Sequence, residues 1–172
     1  MAGLYWRGIK HDLSKFHPIE FFESVKYYND NESPIEACKK EKKYSKAWIH
    51  HQNFNSHHFE HYIMRTDNTI VICKMPFYDA LELICDWLGA GKAYHGKHFS
   101  FEDEWEWWEK NKILKKLMHP HTKEFVERVF YDIKERNNCS ILSETNYLCN
   151  IYYNYCEPKE PIVIDLKGMI GD

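Results

Sequence analysis

Phe77-Tyr78-Asp79-Ala80-Leu81-Glu82-Leu83-Ile84-Cys85-Asp86-Trp87-Leu88-Gly89-Ala90-Gly91-Lys92-Ala93-Tyr94, residues 77–94, is the stretch that reads most plainly as a helix. Leu81, Ile84, Cys85 and Leu88 fall at i, i+3, i+4 and i+7, which gathers them into one apolar stripe. Gly89 and Gly91 weaken the last turns. Asp86 interrupts this apolar company, and a carboxylate is costly to bury there without a partner. An ordinary salt bridge is the plain explanation; a metal ligand is the preferred one.

Reading outward, Met75-Pro76 leads into this helix, and the β-branched run Thr69 to Cys73 is a strand or an extended loop. Downstream, Ser100 is a plausible N-cap for an aromatic helix carrying Trp105, Trp107 and Trp108. His119-Pro120 starts another, in which Phe125, Val129 and Ile133 recur every four residues up to Arg136. Upstream, Leu4 to Phe16 reads as a short helix with Leu4, Ile9, Leu13 and Phe16 as its apolar positions. Pro18 suits the first turn of a second helix over Ile19 to Tyr28, because its missing N–H costs nothing there. Lys39 to Lys46 is a solvated helix face. Tyr44 to His51 forms a helix, and Asn55 or Ser56 caps a following one from His57 to about Met64. From Asn137 the chain is rich in Asn and Tyr, contains Pro158 and Pro161, and ends in the strand-like run Ile162 to Leu166. The expected fold is all-α: a helical bundle over 1–136, and an irregular C-terminal appendage over 137–172 with a short strand.

The chain has 172 residues, the size of one domain, and with 44% hydrophobic and 28% charged residues it is not a disordered chain. A formal charge of −3 argues against sequence-independent nucleic-acid binding, which needs a clustered basic face. No apolar run of about 18 residues predicts a membrane span. The opening residues lack the apolar core of a signal peptide. The six cysteines contain no CxxC pair, so neither a zinc knuckle nor a redox motif is indicated, and reduced thiols in a cytoplasmic setting are expected.

Histidine is the anomaly. There are eleven, and seven lie at positions 11, 17, 50, 51, 57, 58 and 61. His11-Asp12 is an imidazole beside a carboxylate; helical neighbours point about 100° apart, so they reach one ion only across a groove to which other helices contribute. His50-His51-Gln52-Asn53-Phe54-Asn55-Ser56-His57-His58-Phe59-Glu60-His61 is much harder to attribute to chance. His57 and His61 stand i, i+4, a spacing that lets two imidazoles grip one ion. A solvent-facing or stacked cluster is the competing reading. Crowded imidazoles repel once protonated, however, and a bound metal removes that penalty. Glu60 is a candidate ligand, a hydrogen-bond acceptor for a ring N–H, or a general base.

His11-Asp12-Leu13-Ser14-Lys15-Phe16, Ala47-Trp48-Ile49-His50-His51, Asn55-Ser56-His57-His58-Phe59-Glu60 and Asp86-Trp87-Leu88-Gly89-Ala90-Gly91 together resemble an uncharacterised domain family of bacteria and their phages, over roughly residues 3 to 136. The layout is in turn similar to the HD superfamily of metal-dependent phosphohydrolases, whose pattern is His, His-Asp and a distant Asp on helices. The resemblance implies an HD-like bundle, with His11 and Asp12 matching the signature pair and Asp86 the closing aspartate. His51, His57, His58 and His61 would enter as the added histidines of two-metal members. The pattern's first histidine has no counterpart among the ten residues before His11, so either the chain is a shortened form or a histidine of the second cluster fills that place.

The expected activity is hydrolysis of a nucleotide or another small phosphate ester. One or two divalent ions of Mn, Fe, Co, Ni or Zn would be held by His11, Asp12, His51, His57, His58, His61 and Asp86. Asp12, Glu60 and Lys15 are the candidate catalytic residues, Lys15 for substrate phosphate. The alternatives are an HD-type di-iron oxygenase using the same residues, or a non-catalytic accessory protein that binds metal, nucleotide or partner on a degenerate scaffold. The expected partner is a small phosphorylated substrate, with a homodimer left open and neither membrane nor nucleic acid involved.

Overall fold

A break replaces the single helix expected over 4–16. In the computed structural model, which describes residues 3–30 and 32–166, α1 (Tyr5–Lys10) stops before His11. Asp12 then takes φ −115° and ψ 15°, and a 3₁₀ turn follows over Leu13–Phe16. α2 (Pro18–Tyr27) starts on Pro18 as its first residue. Next comes α3 (Pro34–Lys42), which Lys43 ends in the left-handed conformation. α4 (Lys46–Phe54) is capped by Ser45, whose Oγ accepts from the Trp48 N–H at 2.9 Å.

Asn55 ends α4 and caps no new helix; its Nδ2 donates back to the His51 carbonyl at 2.9 Å. The helix expected over 57–64 is not formed. That stretch is a 3₁₀ turn, Phe59–Tyr62, running into strand β1 (Ile63–Arg65). β2 (Thr69–Ile72) pairs with it antiparallel, Ile63 opposite Ile72. The long helix appears as expected: α5 (Phe77–His95), followed by α6 (Phe101–Lys110) with Ser100 as N-cap, α7 (Lys112–Leu117) and α8 (Pro120–Arg136). After 136 come a 3₁₀ turn (Ser140–Ser143), α9 (Thr145–Asn150), a π turn (Ile151–Tyr155) and β3 (Ile162–Asp165). β3 completes a sheet in the order β1-β2-β3, with Ile72 opposite Ile162. The protein is therefore mainly helical with a small three-stranded antiparallel sheet, a correction to the all-α expectation.

The core lies where α5 and α8 meet α6. Leu81, Leu83, Ile84, Phe125, Val129 and Ile133 are buried there with Trp108, so part of the tryptophan run is core. The segment after 136, read as an appendage, sends Ile141, Leu148, Ile151 and Tyr152 into the same cluster. Burying each large side chain of this kind stabilises by roughly 1.5–3 kcal/mol.

The N-terminal helices invert the expectation drawn from their apolar residues. Trp6 and Phe16 are each 76% exposed, and Ile9, Leu13, Phe21, Phe22, Val25 and Tyr28 are exposed as well. The face α2 turns inward is polar: Glu20 is buried, Glu23 accepts from Ser45 Oγ at 2.6 Å and from the Ala47 N–H at 2.9 Å, and the Tyr27 hydroxyl donates to Glu41 at 2.9 Å. Hydrogen bonds to carboxylates, more than apolar burial, set the facing of α2.

Candidate metal centre

The break between α1 and the first 3₁₀ turn puts His11 and Asp12 where they approach α4 and α5 together. Two groups of possible ligands form side by side: His51, His57 and His58, all buried, and His11, Asp12 and Asp86, all half-buried. Within each group the ligating atoms lie within 4.8 Å of one another. Asp12 faces both. Its Oδ2 is 3.3 Å from His11 Nε2, and its Oδ1 is 3.4 Å from His51 Nε2. His11 Nε2 is in turn 4.0 Å from Asp86 Oδ1. Two atoms that share an ion at about 2.1 Å each stand at most about 4.2 Å apart, so these three separations suit common ligands.

The free ring nitrogens support the same reading. His11 Nδ1 lies 2.7 Å from the Gly8 carbonyl, which engages that nitrogen and leaves Nε2 toward the carboxylates. His51 Nδ1 is 2.9 Å from Glu20 Oε2, so the ring donates there and presents its Nε2 lone pair toward Asp12. The Nε2 atoms of His57 and His58 are buried without a hydrogen-bond partner among the described residues. Buried ring nitrogens left unpaired are costly, and a bound cation would satisfy both.

Behind the ligands sits a polar network that sequence reading did not find. Glu20, buried on α2, also receives His50 Nδ1 at 2.6 Å and Ser14 Oγ at 3.2 Å. Ser14 Oγ accepts from Asn55 Nδ2 at 2.8 Å, which ties the first 3₁₀ turn to the end of α4. On the far side, Glu82 Oε1 is 3.7 Å from His57 Nδ1, and its other oxygen accepts from Arg7 Nε at 2.6 Å. Arg7 also pairs with Asp79, which holds the hydroxyls of Tyr62 and Ser56. A signal for part of this was available, since Asp79, Glu82 and Asp86 recur at i, i+3 and i+7 on α5, an acidic line beside the apolar stripe. Glu20 gave none: a lone Glu among Phe and Ile residues reads as a surface position.

Electrostatics separate the members. Burial lowers His57 to about 4 and His58 to about 3, the latter with help from its neighbouring imidazoles. Both rings are therefore neutral, ligand-competent bases at pH 7. Burial draws the Asp12 carboxyl up, but the hydrogen bond and charge of Lys15, with His11 and His51, outweigh it and hold Asp12 below the usual carboxylate range. Asp86 is raised, by burial first and by the nearby Asp12 second. Burial likewise raises Glu60.

Six of the seven metal ligands expected from sequence converge: His11, Asp12, His51, His57, His58 and Asp86. His61 does not join them. Without the helix over 57–64 its i, i+4 relation to His57 is lost; its ring is exposed and engages the Asn53 carbonyl at 2.7 Å. Of the candidate catalytic residues, Asp12 is central and Lys15 pairs with it directly. Glu60 lines a cleft of about 450 Å³ that Asp12, Lys15, His51, His58 and Asp86 also border, and its Oε2 is buried without a partner among the described residues.

The chain belongs to a family of unknown function (DUF5662), whose family model matches residues 1–132. No curated protein and no solved structure matches the chain. No described helix is long and apolar enough to cross a membrane.

Proposed function

We propose that this protein is a metal-dependent phosphohydrolase of HD type, acting on a nucleotide or another small phosphate ester at a centre for two divalent ions. The observation that carries the reading is Asp12: its two oxygens face imidazoles of two separate ligand groups, 3.3 Å and 3.4 Å away, as a carboxylate shared between two ions would. The second group would use His51 where the HD pattern has its first histidine.

His11, Asp12 and Asp86 would hold one ion, and His51, His57 and His58 the other. Ions in such a site polarise a phosphoryl oxygen and make water a competent nucleophile near neutral pH. The chain's own residues supply the rest. Lys15, exposed beside Asp12 at the mouth of the cleft, offers a charge to substrate phosphate. Glu60, whose carboxyl burial raises above the usual range, would give a proton to the leaving ester oxygen as the P–O bond breaks, while the water oxygen bonds to phosphorus and its proton passes to solvent. Trp48, T-shaped against His58 at 5.2 Å between ring centres, lines the same cleft.

The test is metal content together with phosphate release. Purified protein and its His57→Ala and Asp86→Ala variants are loaded with Mn²⁺ or Co²⁺ and given a nucleotide and phosphoester panel. The expected result is less bound metal in both variants and phosphate release by the parent chain alone. Equal metal in all three overturns the centre. Oxygen consumption by the iron-loaded protein, without phosphate release, would replace hydrolysis with oxidation.

A further inference from the structure

Past the histidines the cleft continues along α5. Asp86, Ala90 and Tyr94 border it at four-residue spacing, and Trp87 and Trp107 form its far wall. The same three aromatics, Trp87, Tyr94 and Trp107, also line an adjoining recess of about 210 Å³. At its base lies Glu104 of α6, only 6% exposed. No hydrogen bond or close ion pair engages this carboxyl among the described residues; the one cationic group acting on it is the His95 imidazole on the same lining, and the carboxyl belongs to neither group of close ligand atoms. A buried carboxylate without a partner is costly. Its position is nevertheless built in: a Cβ on Gly91 would stand 1.9 Å from Glu104 Oε1, so glycine lets the carboxyl lie against α5.

Two carboxylates, Glu104 and Asp103, face aromatic walls in which Trp87 and Trp107 stand T-shaped at 5.3 Å, with His95 also on the lining, and together they make a box suited to an organic cation. Ring faces attract ammonium groups, and a carboxylate adds a full charge where water is scarce. Asp86 and Gly91 are five residues apart on α5, about 7.5 Å along the axis at 1.5 Å per residue.

We propose that this recess is a subsite for an alkylammonium or quaternary ammonium group, and that the substrate is a phosphate ester carrying such a cation one to two helical turns from its phosphoryl group. The second clause rests on the hydrolase reading; the first does not.

Binding is measured on the full chain by calorimetry and tryptophan quenching, with tetramethylammonium and choline as probes and 3,3-dimethylbutan-1-ol as the uncharged counterpart of choline. Choline should bind at least about tenfold more tightly than the alcohol, and Glu104→Gln should remove that advantage. Equal binding of the two, or an unchanged advantage in Glu104→Gln, overturns the subsite. If Glu104→Gln fails to fold, Trp107→Ala, at a position 38% exposed, and Gly91→Ala, whose methyl displaces the carboxyl, carry the same test. A second arm compares choline phosphate with 3,3-dimethylbutyl phosphate on Mn²⁺-loaded protein, where kcat/KM should favour the choline ester by about tenfold or more. Equal turnover of both esters overturns the subsite and leaves the hydrolase standing. If neither ester nor any member of the nucleotide and phosphoester panel is cleaved, with choline still preferred in binding, the hydrolase falls and the subsite stands.

Discussion

Replacing Glu20 with Gln tests whether the histidine cluster is oriented for a metal or merely packed. Glu20 is 3% exposed and receives two imidazole nitrogens, His51 Nδ1 at 2.9 Å and His50 Nδ1 at 2.6 Å, besides Ser14 Oγ. Gln keeps one acceptor and sets an amide N–H₂ against the other ring, donor against donor. A hydrogen bond to a charged group contributes about 1.5–3 kcal/mol. One of the two imidazole bonds is lost and the other, kept on a neutral acceptor, is weakened to about 1 kcal/mol, so the loss is about 2–4 kcal/mol. At roughly 2–4 °C per kcal/mol for a chain of this size, the melting temperature falls by about 5–15 °C. Metal affinity should fall by about 10–100-fold, because His51 is no longer held with Nε2 facing Asp12. His50→Gln is the control: its ring stacks on His17 at 4.2 Å and on Phe54 at 5.6 Å, away from the ligand groups. It should lower stability and leave metal affinity within about threefold. The assay is Mn²⁺ titration against a chelating dye, with thermal melts of the same samples. Unchanged affinity in Glu20→Gln, or equal weakening in His50→Gln, refutes the orienting role.

Chelation alone should lower the melting temperature by about 5–10 °C from that of protein saturated at about 100 times its Kd, where binding contributes about 2.7 kcal/mol; a melt indifferent to chelator argues against a folded-state metal. Asp12→Asn removes the charge shared by both groups, so bound metal should drop to less than half; full occupancy by elemental analysis would contradict the bridging position. A separate pH effect should come from His121, fully buried, its pKa lowered below 6.5 by burial and by the Lys74 charge, with His119 and Glu157 also near. Below about pH 6.5 the unfolded chain takes up a proton that the folded ring resists, so this stability is complete above that pH and lost as the pH falls. His121→Phe should therefore show a shallower fall in melting temperature between pH 7 and 5.5 than the parent; parallel slopes would rule that out.

α5 and α8, read from apolar periodicity, are present because each has a stripe to bury against its neighbours, and α6 begins on its expected cap, Ser100, though of its residues only Glu104 and Trp108 are buried. The N-terminal third was legible in its candidate ligands and not in its facing. His11, Asp12, His51, His57 and His58, with Asp86 from α5, announce themselves as candidates by residue type and position. Which way α2 turns depends on Glu20 and Glu23 finding donors on another helix, which no local pattern records. His61 failed for a related reason: i, i+4 spacing predicts a shared face only where a helix exists, and β1 begins two residues later. The sheet needs β3 to find β2 across some ninety residues, a pairing the strand-like run at 162–166 suggests but cannot specify.

α1 buries no residue, yet it carries the chain into His11. What fastens it to α5 is Arg7, straddling Asp79 and Glu82, and Glu82 also stands behind His57. Half of the centre thus hangs from an electrostatic latch whose catch is shared with the other half. Higher ionic strength, or the loss of one guanidinium, would weaken the hold on the two halves together.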